Sequence, residues 1–184
     1  MKGVPSHLTL IPFLLLTVAS ILWAQAEPQM PKPGPEHQRL HYFVGNWYTE
    51  VETKPGPMGP GGRTTITEHN EMLGDFFVIF HRDERDATGP VKEIGIMGYD
   101  PEQKVYTYEQ FSDQGERVTA TGTVSGDTWV LLWPATDAAK EGGKRLKGRF
   151  TLKEVSPTSY TSTEEISIDG GPWTKIGEGK ATKK

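Results

Sequence analysis

Leu40-His41-Tyr42-Phe43-Val44-Gly45-Asn46-Trp47 is the stretch that decides the fold. Leu40 and Val44 make a short apolar stripe at helical spacing, Pro35 upstream suits a first helical position because its missing N–H costs nothing there, and Gly45 ends the helix. Trp47 then enters a strand. A large aromatic at a helix-to-strand turn buries extensive apolar area while its N–H needs a local partner, so this stretch predicts a plug over one end of a small β structure.

Beyond Trp47 the helical period disappears and turn signals recur every 8 to 12 residues or so, the spacing of an all-β barrel or sandwich. Strands are predicted near Trp47–Thr53, Thr64–Asn70, Asp75–Arg82, Lys92–Tyr99, Val105–Ser112, Arg117–Val124, Thr128–Trp133, Arg145–Glu154, Ser159–Ile168 and Trp173–Glu178. Asp100-Pro101-Glu102, Asp113-Gln114-Gly115, Ser125-Gly126-Asp127 and Asp169-Gly170-Gly171 supply the residues that tight hairpins require, so neighbours in sequence become neighbours in the sheet. Two connectors are longer, Lys54 to Gly62 and Pro134 to Lys144, and suit the rim of a site. Leu146, Phe150 and Leu152 alternate with Lys147, Arg149, Thr151 and Lys153, giving one inner and one wet face; about ten such strands favour closure into an up-and-down barrel, which leaves no edge exposed. Asp75–Arg82 is apolar on both faces, which suits a position under the helix or a dimer contact.

The first 26 residues have the layout of a secretory signal peptide: Lys2, an apolar stretch of about 16 residues from Leu8 to Trp23 that is interrupted by Pro12 and is short of the roughly 20 needed to span a bilayer, then Ala24-Gln25-Ala26. Cleavage before Glu27 leaves 158 of the 184 residues and moves the formal net charge from −4 to −5. A periplasmic or secreted protein is expected, with residues 27–34 as a Pro-rich tether and residues 35–184 as one barrel domain. The mild acidity disfavours nucleic acid and anionic membrane as partners. With no cysteine in the chain, disulfide scaffolds, thiol catalysis and cysteine-ligated zinc are excluded.

The order Pro35-Glu36-His37, Leu40, Phe43-Val44-Gly45-x-Trp47, then Gly98-Tyr99-Asp100, Tyr108 with Ser112-Asp113-x-x-Gly115, and Asp169-Gly170-Gly171-x-Trp173 resembles a large family of uncharacterised bacterial secreted domains. That family is similar to the calycins, which include lipocalins and fatty-acid-binding proteins. The resemblance implies an up-and-down barrel with a cavity open at one end, and a tryptophan at the other end covered by a basic residue, for which Lys175 and Lys180 are the candidates. The related nitrobindin-like haem proteins use a histidine late in the chain. The histidines here stop at His81, so haem lacks its expected ligand and no cofactor is expected.

Candidate ligand-binding residues follow from polar or aromatic groups on otherwise apolar faces, where burial without a partner costs a few kcal/mol. Trp129 and Leu131 share a strand face, with Trp133 beyond them; Glu164 alternates with Tyr160, Ser162, Ile166 and Ile168; Glu109 alternates with Val105, Thr107 and Phe111. His81 and Tyr108, with Tyr106, add groups able to orient a ligand. Each has a plainer role in the core or at the surface, and a one-residue slip of register reverses every facing. Gly45 and Trp47 are assigned structural roles. His37 and His41, spaced to reach one ion, lack a third fixed ligand, so no metal is expected.

The expected function is binding of a small, largely apolar molecule in the barrel. The alternatives are a hydrolase or isomerase using Glu109 and Glu164 as a buried acid–base pair, and a homodimerising or other interaction module with a filled interior. No catalytic motif is present, whether a Gly-x-Ser-x-Gly elbow, a His-Glu-x-x-His helix, a phosphate loop or a dinucleotide fingerprint.

Overall fold

The computed structural model describes residues 32–57, 59–134 and 145–184. The proposed leader, most of the tether and all of the second long connector except Pro134 lie outside the described residues.

Pro35–Arg39 forms one α-helical turn (α1) that passes directly into a 3-10 turn over Leu40–Phe43. Ten strands follow: β1 Gly45–Thr53, β2 Gly62–Leu73, β3 Phe77–Arg85, β4 Pro90–Asp100, β5 Val105–Ser112, β6 Arg117–Ser125, β7 Thr128–Trp133, β8 Leu146–Ser156, β9 Ser159–Ile168 and β10 Thr174–Lys183. Each pairs antiparallel with its neighbours in sequence, and β1 pairs with β10 from Trp47↔Lys183 to Thr53↔Gly177, so the meander closes into a barrel. Closure removes the edges that ten short strands would otherwise expose. Pairing slips at Lys175/Gly177 and at Glu154/Ser156, local irregularities of the bulge type that tighten strand twist.

The reversal out of the helix is made at Gly45, whose φ of +116° is disfavoured for any residue with a Cβ. Trp47 is buried, and its Nε1 donates to the Phe43 carbonyl at 2.7 Å. Lys183 Nζ lies 4.9 Å from the centre of the Trp47 ring. The basic residue covering the tryptophan is therefore Lys183, beyond both candidates in the chain; Lys175 instead pairs with Glu178 on the exposed surface.

The helical turns seal this end of the barrel. Leu40 and Phe43 join Trp47, Val78, Tyr106 and Trp129 in one buried cluster, and Phe43 and Trp129 meet edge to face at 5.0 Å. Polar ties fix the plug: Arg39 Nη2 and Trp129 Nε1 both donate to Glu154 Oε1, at 2.7 and 2.6 Å, and the Tyr42 hydroxyl donates to the Ser159 carbonyl at 2.9 Å. His37 is buried, with Nδ1 accepting from the Gly34 N–H at 3.0 Å and its ring edge-on to Phe76 and Tyr99, so this ring serves the start of the helix.

Candidate functional site

The barrel interior changes character along its length. At the plugged end the inward residues are apolar and sealed. Past Phe80 on β3, the next inward position is Arg82, and in-register pairing sets Glu68 of β2 and Glu93 of β4 on either side of it. Arg82 Nη1 donates to Gln110 Oε1 at 2.9 Å and lies 3.0 Å from Glu93 Oε2, while Nε stands 2.9 Å from Glu68 Oε1 as an ion contact without hydrogen-bond alignment. Gln110 Nε2 donates to Glu93 Oε1 at 2.6 Å, and the Tyr108 hydroxyl donates to Gln110 Oε1 at 2.6 Å. Asn70 Nδ2 links this belt to the plug, donating to Glu68 Oε2 and to the Phe43 carbonyl at 3.1 Å each. The Glu68 and Glu93 side chains are each 8% exposed and Arg82 18%. Charges so far from water persist only when paired and hydrogen-bonded, which is what the belt provides.

Two further carboxyls face inward beyond the belt. Glu164 occupies an inner position of β9 between buried Ser162 and Ile166, and Glu84 follows Arg82 along β3. Gly177 on β10 leaves the room that Glu164 uses, since a Cβ there would come within 3.3 Å of its Oε2. Burial holds Glu164 above the ordinary carboxyl range, with Arg82 opposing. Burial also raises Glu93, against Arg82 and the Gln110 hydrogen bond, and raises Glu84, with Glu93 adding to the effect. The Tyr108 hydroxyl is pushed up to about 12 by burial and stays protonated as a donor. Arg82 itself titrates above its ordinary value: burial opposes its charge, but Tyr108, Glu68 and Glu93 outweigh that penalty. Glu68 and Glu93 thus contact the one guanidinium of Arg82, whose charge also acts on Glu84 and Glu164.

The opposite wall is apolar. Leu131 and Trp133 of β7 and Phe150 of β8 face inward, and Gly148 lets the Trp133 indole lie flat against the sheet, because a Cβ at that position would fall 1.8 Å from the ring. Val51, Gln110, Val118, Trp133, Phe150 and Glu164, all inward on this half, are only half-buried, in contrast to the sealed plug.

Of the sequence-predicted residues, Tyr108, Leu131 and Glu164 lie in this half of the interior. Trp129 also faces inward, but its indole belongs to the plug, bonded to Glu154 and edge-on to Phe43 and Tyr106. His81, Glu109 and Phe111 lie on the outer wall, where His81 contacts Glu71 at 3.4 Å and Glu109 accepts from Arg117 at 3.1 Å. Their expected inward facing is corrected by the strand register. The inward residues of β3 are Val78, Phe80 and Arg82, and those of β5 are Tyr106, Tyr108 and Gln110. Glu109 and Glu164 are therefore on opposite sides of the wall and cannot form an acid–base pair. Arg149, an outside residue, binds Glu165 and covers the Trp173 ring at 4.4 Å. Missed were Glu68, Arg82, Glu84, Glu93 and Gln110, although Arg82 continues the Val78, Phe80 alternation that identifies the inner face.

Among the described residues no cluster of three or more His, Cys, Asp or Glu side chains has metal-binding geometry, and no helix is long and apolar enough to cross a membrane. Of the two depressions described, the larger, about 450 Å³, lies over the β1, β10 and β9 wall beside Glu50, Thr161 and Glu178 and includes none of the charged interior groups.

A family model described as "Protein of unknown function (DUF1579)" matches residues 32–183. No curated protein matches the chain in sequence. Among solved structures, the chain is similar to Rv2717c from M. tuberculosis, with 16% identity and a TM-score of 0.54 over 83% of this chain and 99% of that one. It also aligns with a redesigned β barrel, mFAP1, bound to DFHBI, with 15% identity and a TM-score of 0.36 over 82% of this chain and 100% of that one. The first likeness is one of fold alone, and the second is too distant to bear on the site.

Proposed function

The chain belongs to the DUF1579 family, whose function its description leaves open, and we propose that its barrel binds a small amphiphilic molecule in the half of the interior away from the plug. The observation that supports this most directly is the contrast between the two halves: Trp47, Leu40 and Trp129 are fully sealed, whereas Trp133, Phe150 and Glu164 face inward yet keep access to water. Pockets of this kind pair an apolar wall with a few convergent polar groups. The ligand's apolar body lies along Leu131, Trp133 and Phe150, and its polar end donates hydrogen bonds to Glu164 and Glu84. This interior is more polar than a purely apolar ligand would need, and an acceptor-rich wall favours a donor or a cation at the ligand's head.

Binding takes place outside the cytoplasm on this reading, which rests on Lys2, the apolar Leu8 to Trp23 stretch and the Ala24-Gln25-Ala26 site. Native mass spectrometry of the protein purified from its own cells tests both points. The expected result is a chain beginning at Glu27 that carries a small-molecule adduct, with the adduct lost in Glu164→Leu. Repeated preparations of bare protein whose interior takes up no small amphiphilic dye would overturn the binding reading.

A further inference from the structure

The half of the interior away from the plug is short of hydrogen-bond donors and of positive charge. Its described inner face carries four carboxyls, Glu68, Glu84, Glu93 and Glu164, and one cation, Arg82. Arg82 contacts Glu68, Glu93 and Gln110, which leaves Glu84 and Glu164 without an ion-pair or hydrogen-bond partner among the described residues. The shortage extends to a neutral side chain. Thr49 is 4% exposed, and its Oγ1 stands near the Tyr160 hydroxyl without hydrogen-bond alignment, so it too lacks a partner. Thr49, Ile66 and Glu84 pair in one inner row across β1, β2 and β3, so the orphaned hydroxyl and the unpaired carboxyl face the same space. Buried polar groups left unpaired are costly, and an occupant that supplies donors and positive charge relieves that cost.

The apolar wall adjoins the second unpaired carboxyl. Glu164 of β9 pairs with Phe150 of β8, and Phe150 pairs with Leu131 of β7, so carboxyl, ring and aliphatic side chain follow one another in a second inner row. On its other side Glu164 pairs with Gly177 of β10, whose inner positions 177, 179 and 181 are Gly, Gly and Ala. That strand puts nothing larger than a methyl between Glu164 and the inner face of β1, where Thr49 lies. The Trp133 indole, flat over Gly148, and the Phe150 ring add aromatic faces that attract a cation. We infer that the head of the bound molecule is a primary ammonium group placed among Glu164, Glu84 and Thr49, with its apolar body along Phe150, Leu131 and Trp133. The inference rests on the proposed binding role and narrows the ligand to one chemical class. A primary ammonium brings three N–H donors together with a positive charge. An alcohol brings one donor and no charge, a carboxylate brings like charge, and a quaternary ammonium brings charge without donors.

Isothermal titration calorimetry near neutral pH with four probes that share one tail, octylamine, octanol, octanoate and octyltrimethylammonium, tests it. Octylamine is expected to bind at least about tenfold more tightly than each of the others, the factor that one hydrogen bond to a charged group supplies. Glu164→Gln, which keeps the shape of the side chain and removes its charge, should abolish that preference. Glu109→Gln on the outer wall should leave it unchanged. Any of the other three probes bound as tightly as octylamine overturns the ammonium head, and so does a preference that survives Glu164→Gln. Failure of all four probes while the interior still takes up a small amphiphilic dye also overturns it, and each of these results leaves the binding role standing. Failure of the probes and the dye together overturns both.

Discussion

Arg82 is the residue on which the interior charge depends, because two nearly buried carboxylates, Glu68 and Glu93, contact it directly. Removing the cation while leaving its partners costs more than the pair contributes, since an uncompensated buried charge remains. Arg82→Met should destabilise the barrel by about 3–5 kcal/mol in urea unfolding. The triple change with Glu68→Gln and Glu93→Gln should recover part of that loss. Glu164 behaves in the opposite sense. Its carboxyl titrates above its ordinary value in the folded barrel because burial favours the neutral form. The folded state then binds more protons than the unfolded chain, so the associated stability is present at acid pH and is lost as pH rises above the ordinary carboxyl range. Glu164→Gln, which is permanently neutral, should melt higher than wild type at neutral and alkaline pH and converge with it below the ordinary carboxyl pKa. A pH series of thermal melts checks this, and a constant difference at all pH values would contradict it. The facing of Glu164 and of Glu109 was open in the sequence, because a one-residue slip of register reverses every side chain. The structure places Glu164 on the inner face of β9, between buried Ser162 and Ile166. On β5 both faces carry aromatics, Tyr106 and Tyr108 against Phe111, so the facing of Glu109 was undetermined until strand pairing was known.

At the scale of elements, the helix-to-strand junction joins sequence to architecture most directly. The positive φ at Gly45 turns the chain from the plug into β1, and the Lys183 side chain packs against the same glycine, 3.4 Å from where a Cβ would stand. Gly45→Ala should cost about 1–3 kcal/mol through backbone strain, measured by chemical denaturation, with no change in the strand count seen by circular dichroism. Strand positions were readable with small errors because turn residues bracket them: β5, β7 and β9 fall at the expected residues. The third strand begins at Phe77, later than expected, since Asp75 and Phe76 belong to the turn whose Gly74 has φ +58°. The last strand runs five residues beyond Glu178, because pairing with β1 on one side and β9 on the other stabilises a segment of low intrinsic strand propensity. That longer pairing is also why Lys183, rather than Lys175 or Lys180, reaches Trp47. The belt around Arg82 was not legible, because it is assembled from four strands, β2 to β5, and only the register between them makes one arginine the shared partner of Glu68, Glu93 and Gln110.

For the whole molecule, closure is the property on which the rest depends. β10 completes the hydrogen bonding of both β1 and β9 and provides Lys183 over Trp47, so the last strand of the chain holds the first in place. Removing residues 174–184 does not simply shorten a sheet. It opens the barrel along two new edges, strips the cover from the plug and exposes the inner face on which Tyr160 and Ser162 are buried. The remaining nine strands also lack the pairing that brings the ends of the chain together, a non-local contact on which barrel topologies depend for a cooperative transition. The truncated chain should be recovered mainly as aggregate, and any soluble fraction should have lost the near-UV circular dichroism that Trp47 and Trp129 give in their packed environment. Single substitutions on β10 that keep its pairing, such as Lys180→Gln at an exposed position, should leave both signals unchanged. A soluble truncated protein with a wild-type near-UV spectrum would mean that the meander is stable open, and the sealed plug would then need an explanation other than closure.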